Sequence, residues 1–191
     1  MFSLATMMND IYNASQKDNP WINSSYEKIN ALTNDARGKF GEQLISAVFH
    51  QIPCRIDQDI SDNSVHPDGH YDLKVDGVRI EVKTSANLKN WQHEPLYAED
   101  MCDIVIFVDF TPESYNVSFI LSDDLPLGKS SPLMPNKHGT LRKNKDDGYK
   151  LDFSKKTFTD LKLAGVCETF SPNEEEKLVK FIQKMWSDFY V

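Results

Sequence analysis

The sequence predicts an α/β fold: a mixed central sheet flanked by helices, with a C-terminal amphipathic helix. Three stretches carry that expectation. GKFGEQLISAVFH, residues 38–50, sets Phe40, Leu44, Ala47 and Val48 at helical spacing. YDLKVDGVRIEVKTS, residues 71–85, alternates polar and apolar residues around Asp76-Gly77. That dipeptide suits a two-residue hairpin turn, where both positions take positive φ. CDIVIFVDF, residues 102–110, is an almost unbroken apolar run of strand length, as a buried central strand requires.

The other elements follow in order. Residues 1–15 carry a helical pattern that Asn19-Pro20 interrupts. SSYEKINALT opens a helix, with Ser24 or Ser25 as its cap. After the 38–50 helix a short strand is expected near 52–60, then a loop at SDNSVHPDG, residues 61–69. The hairpin occupies 69–84. A helix is expected around Glu94–Met101, with Pro95 in its first turn. Next come the 102–110 strand, a turn at 111–114 and a partner strand, YNVSFILS. Residues 123–150, rich in Pro, Gly, Lys and Asp, read as a long functional loop or an inserted subregion. Leu178, Phe181, Ile182 and Trp186 form one apolar stripe on the closing helix, 172–190, and belong in the core. The whole, 1–191, is expected to be a single domain.

Bulk composition narrows the function. With 40% hydrophobic residues the chain can bury a sizeable core. No apolar run approaches 18 residues, so no membrane span is expected. MFSLATMMNDIY lacks the basic opening of a secretory signal. Cys54, Cys102 and Cys167 are odd in number and unpaired in spacing, and read as free thiols of a reducing cytoplasm. His66 and His70 are four apart, but no cysteines join them in a zinc pattern. A net charge of −8 argues against nucleic acid, yet its distribution does not. Residues 129–162 hold nine Lys or Arg against four Asp or Glu, a local +5 that leaves −13 elsewhere. An acidic protein can still present one basic face.

The hairpin raises a physical question. With Asp76-Gly77 as the loop, Val75 pairs with Val78, Leu73 with Ile80, Asp72 with Glu81 and His70 with Lys83. Tyr71, Leu73, Val75, Val78, Ile80 and Val82 share one face; His70, Asp72, Glu81 and Lys83 share the other. An amphipathic hairpin with a wet outer face is the commoner arrangement, but like charges directly opposite each other destabilise a sheet. A divalent cation turns that repulsion into a ligand set. Two carboxylates and the Val82 backbone carbonyl suit a hard ion such as Mg²⁺. Lys83, two residues from Glu81 on the same face, can orient a water and stabilise charge developing on phosphate.

Asp72, eight intervening residues, then Glu81-Val82-Lys83 followed by Thr84-Ser85, resembles the PD-(D/E)XK nuclease superfamily. The resemblance covers about residues 36–122. It implies a restriction endonuclease-like core: a helix, a three-stranded meander carrying the Asp and the ExK, a second helix and a further strand. RGKFGEQL resembles the first-helix acidic motif of several members and implies that Glu42 belongs to the metal's surroundings. Two departures stand. Tyr71, not proline, precedes Asp72, and a true Pro67-Asp68 lies upstream, so Asp68 is a rival first ligand. Gln92 and Tyr97 resemble the glutamine–tyrosine motif of RecB-like nucleases, at a spacing one residue too long.

The resemblance implies a DNA endonuclease dependent on Mg²⁺, for which Mn²⁺ can substitute. Asp72, Glu81 and the Val82 carbonyl would hold the ion and Lys83 would position the attacking water, with His70 and Gln92 as accessory residues. Small single-domain members of this kind are often type II restriction endonucleases that act as homodimers on double-stranded DNA. Residues 123–160 would then contact the duplex through Arg142, Lys143 and Lys145. A structure-specific repair, recombination or phage nuclease would share the site. A catalytically silent interaction domain is the third reading, against which the intact Asp72–Glu81–Lys83 set argues.

Overall fold

In a computed structural model of the chain, residues 7, 8, 13, 16, 19–59, 71–97, 102–142 and 148–190 are described. A short helix, α1 (Glu27–Ala31), leads into α2 (Asn34–Phe49), which begins four residues earlier than its apolar pattern suggests. Thr33 explains the start: its side chain accepts the Ala36 N–H and caps the first turn. The Arg37 guanidinium donates to the Ile29, Asn30 and Leu32 carbonyls and so ties α2 to the end of α1. The buried face of α2 is Gly41, Ile45, Ser46, Val48 and Phe49. Phe40 and Leu44 are only half-buried and Ala47 is exposed, so the core-facing stripe is rotated from the expected one. Gly41, by meeting the sheet closely, sets that roll.

The main sheet runs β1 (Ile56–Asp59), β2 (Leu73–Val75), β3 (Val78–Ala86), β5 (Ile104–Phe110), β6 (Tyr115–Leu121), β9 (Cys167–Phe170) in spatial order. β3 and β5 are parallel and every other neighbouring pair is antiparallel, a mixed sheet as expected. The hairpin has the predicted register: Leu73 opposite Ile80, Lys74 opposite Arg79, Val75 opposite Val78. Asp76 and Gly77 take φ of 48° and 85° at its turn, which is why glycine stands there.

The chain between β3 and β5 corrects an expectation. The helix expected at 94–101 is not formed over its first residues; β4 (Asn90–Leu96) is a strand. Its pattern explains the choice: Trp91, His93 and Leu96 are buried while Asn90, Gln92 and Glu94 face outward, a period near two. Residues 98–101 lie outside those described. β4 pairs with β8 (Tyr149–Ser154), and β8 with β7 (Thr140–Leu141), as a second, three-stranded sheet. The 123–150 region is therefore an inserted subregion that supplies β7 and the start of β8. Ser154 and Thr157 form a reciprocal cap at the start of α3 (Lys155–Leu163), which leads to β9.

Every residue of β5 is buried, because both its faces are covered. Ile104, Ile106, Val108 and Phe110 pack with Ile45 and Phe49 of α2 and with α4 (Glu175–Phe189), whose Leu178, Phe181, Ile182 and Trp186 are buried as expected. Val105 and Phe107 pack on the other side with Trp91, Leu151, Phe153 and Phe158. Among the described residues no helix is long and apolar enough to cross a membrane.

Candidate active site at the open edge of the third strand

β2 begins at Leu73, whereas β3 runs on to Ala86, so the outer edge of β3 extends beyond its partner. Asp72 stands at the break. Its backbone N–H donates to the Ile80 carbonyl at 2.8 Å, and its Oδ2 accepts the Val82 N–H at 2.7 Å. The carboxylate thus takes the place of the next strand residue. In a strand, one residue's N–H and C=O project to the same side. The Val82 carbonyl therefore faces the Asp72 side of β3.

From above, α2 closes on this edge. A Cβ on Gly41 would lie 1.8 Å from Thr84 Oγ1 and 2.9 Å from Thr84 Cβ, so only glycine permits the approach. Glu42, the next residue, pairs with Lys39 at 3.5 Å and reaches the space below. That space is a cavity of about 620 Å³ between α2, β3 and β4. Glu42, Asp72, Glu81, Lys83 and Gln92 all line it, together with Val82. Sequence reasoning did not single out Glu94, Asp35 or Arg37, which also line it. Glu94 was legible only through the two-residue period that puts it beside Gln92.

Charge in the cavity is unbalanced at one residue. Burial pushes the Asp72 carboxyl up, to about 8; Glu81 adds to this, the Val82 N–H opposes it, Glu42 raises it further and Lys83 partly offsets it. At Lys83 burial disfavours the charged form, but Glu81 outweighs it by charge and by hydrogen bond. With help from Asp72 and Tyr97, it holds the ammonium above its ordinary range. Lys83 and Glu81 form a direct ion pair, both side chains largely buried.

Could these residues hold a metal? Among the described residues, no group of three or more His, Cys, Asp or Glu side chains is gathered to hold an ion alone. What the edge of β3 offers is two carboxylates and the side of the strand bearing the Val82 carbonyl. That oxygen-only set suits Mg²⁺ completed by water. Burial first, and Glu81 and Glu42 after it, disfavour the ionised Asp72 carboxylate, and a nearby cation would favour it. The donor chemistry fits the ion.

β4 is irregular between His93 and Leu96. His93 pairs with Leu151 and Leu96 with Tyr149, so β4 spends three steps where β8 spends two. This bulge absorbs one residue. Gln92 lies in the cavity wall, and Tyr97 is close enough to Lys83 to raise its pKa.

Arg142 lies at the rim, 3.5 Å from Glu94. Lys143, Lys145, His66, His70 and Asp68 fall outside the described residues, so of the two candidate first ligands only Asp72 is located. The basic stretch is less bare than its composition suggests. Lys129 pairs with Asp123, Lys150 with Asp152 and Lys156 with Asp160. Lys137 donates to the Asp152 carbonyl. The three cysteines are free thiols. No family model, curated protein or solved structure matches the chain.

Proposed function

We propose that the chain is a metal-dependent endodeoxyribonuclease of the PD-(D/E)XK kind, most simply a type II restriction endonuclease. The observation that carries this reading is the approach of Asp72 to Glu81–Val82–Lys83 along one edge of a cavity of about 620 Å³. Asp72, Glu81 and the Val82 carbonyl would hold Mg²⁺, with Glu42 behind them. When bound, the ion would supply Lewis-acid stabilisation of the phosphate oxygens.

The chain's own groups do the rest. Lys83, kept as an ammonium by Glu81, orients the attacking water and stabilises negative charge as it develops at phosphorus. Water oxygen attacks phosphorus in line and gives up a proton to solvent, the bond to O3′ breaks, the leaving oxygen takes a proton from solvent, and a 3′-hydroxyl and a 5′-phosphate result. Gln92 supplies a polar wall facing the strand being cut. Arg142 at the rim is suited to a flanking phosphate, with its charge held by Glu94 until DNA arrives.

Incubation of supercoiled plasmid with purified protein tests this. Cutting is expected with Mg²⁺ or Mn²⁺ and none with EDTA. Glu81→Ala should lower the rate at least about a hundredfold, the scale of removing one group that stabilises the transition state. A Glu81→Ala protein that cuts at the wild-type rate would sink the assignment.

A further inference from the structure

A buried polar pair joins the dry faces of β4 and β5. His93 Nε2 sits 3.1 Å from Asp109 Oδ1, with side chains 1% and 0% exposed. The imidazole is wedged between Phe107 and Phe153, with ring centroids 4.6 and 5.0 Å away. By hydrogen-bond geometry none of the four polar atoms, His93 Nδ1 and Nε2 and Asp109 Oδ1 and Oδ2, has a partner, so the two side chains meet only by close polar approach. Such a pair is an inefficient source of stability, because burying charge or unsatisfied polar atoms costs about what the attraction returns. What a close buried polar contact does better than apolar packing is fix register, because a slip would leave both groups alone in an apolar surrounding.

Its position gives that register a consequence. His93 lies between Gln92 and Glu94, both of which line the cavity on the opposite face of β4. Trp91, on the same inward face as His93, donates its indole N–H to the Phe110 carbonyl at 2.9 Å. Two alternate residues of β4 are therefore tied to two successive residues of β5. The surrounding contacts, Leu96, Val105, Phe107, Leu151 and Phe153, are apolar and tolerate sliding. A one-residue slip of β4 would turn Gln92 and Glu94 into the core.

We propose that His93 and Asp109 form a register pin, seconded by Trp91, that holds the Gln92–Glu94 wall against the catalytic strand. They are positioning residues and touch neither substrate nor metal. The kinetic part of the inference rests on the nuclease reading; the structural part does not.

The test compares two double variants with wild type. In His93→Leu/Asp109→Val the pair is apolar; in His93→Gln/Asp109→Asn it is neutral but still directional. The apolar pair should speed amide hydrogen exchange at Gln92 and Glu94 by about tenfold, a coupling of ordinary size. It should leave the melting temperature close to wild type and raise KM for duplex DNA more than it lowers kcat. The melting-temperature gain from Mg²⁺ should persist, since α2, β3 and Asp72 are untouched. The directional pair should restore slow exchange and KM. Unchanged exchange in the apolar pair overturns the pin. Loosened amides with unchanged KM overturn its link to the site. If the apolar pair does not fold, Trp91→Phe removes the second tie, and unchanged exchange there overturns the inference too. A wild-type protein that never cuts DNA while the amides loosen as described defeats the nuclease reading and leaves the pin standing.

Discussion

Asp72 is half-buried and Asp109 fully buried, and burial is the leading cause that pushes each carboxyl above its ordinary range. Their company differs. Asp109 faces His93, which pulls its carboxyl partly back. Asp72 faces Glu81 and, further off, Glu42, which push in the same direction as burial. One pair is closed and dry and joins a carboxyl to an imidazole; the other is open to a cavity and joins two carboxyls. A fold can offset a buried carboxylate with a partner from its own chain. Where it supplies a like charge instead, a cation from outside would offset it, and the proposed metal-binding role of Asp72 rests on that contrast.

The contrast is sharpest on removal of one partner. Asp109→Ala leaves His93 buried and unpaired among phenylalanines, which should cost about 2–4 kcal/mol. For a chain of this length that lowers the melting temperature by roughly 5–15 °C. Thermal melts in EDTA measure it, and a loss under about 2 °C would make the pair dispensable.

Next in size is the response to metal. A divalent ion at about a hundred times its Kd adds about 2.7 kcal/mol to the folded state, a rise of roughly 5–10 °C. Wild type should show that rise with Mg²⁺ or Ca²⁺, and Asp109→Ala should show it from its lower baseline. Asp72→Asn should show little of it. A full metal response in Asp72→Asn would move the first ligand elsewhere, Asp68 being the named rival.

The smallest effect is the most diagnostic. Asn keeps an acceptor for the Val82 N–H while removing one of two facing charges. In EDTA, Asp72→Asn should match wild type or gain about 0.5–1 kcal/mol, the scale of a cross-strand pair. Its pH dependence follows from the raised carboxyl. A group whose folded pKa exceeds its unfolded value stabilises the fold at low pH, and loses that contribution as pH rises through the folded value. Metal-free wild type should therefore lose stability between about pH 4 and about pH 8, and Asp72→Asn should lose less. Asp109 is present in both proteins and cancels from the comparison. Chemical denaturation across that range checks it; parallel curves would mean Asp72 carries no excess repulsion in the folded state.

Much of the site was legible in the residues. Local rules act over two to four positions, and the hairpin obeys them as far as Leu73: Asp76-Gly77 fixed the turn and the turn fixed the register, whereas Asp72, expected opposite Glu81, lies just beyond the paired residues and bonds to Ile80 and Val82. The amphipathic period of α4 and the apolar run of β5 were equally local. Residues 90–96 were not. Pro95 and nearby helix formers favoured a first helical turn, while burial of Trp91, His93 and Leu96 against β5, β8 and α3 imposed a strand. That choice depends on β8, some sixty residues away, and no window on 90–96 contains it. The roll of α2 is another case, since the 1.8 Å approach of a Gly41 side chain to Thr84 exists only once helix and sheet meet. Spacing along the chain by itself determined which carboxylates and lysine share one edge of one strand. Only tertiary packing decided what closes over them, because closure is settled by which distant apolar faces fit together and which buried polar atoms find partners.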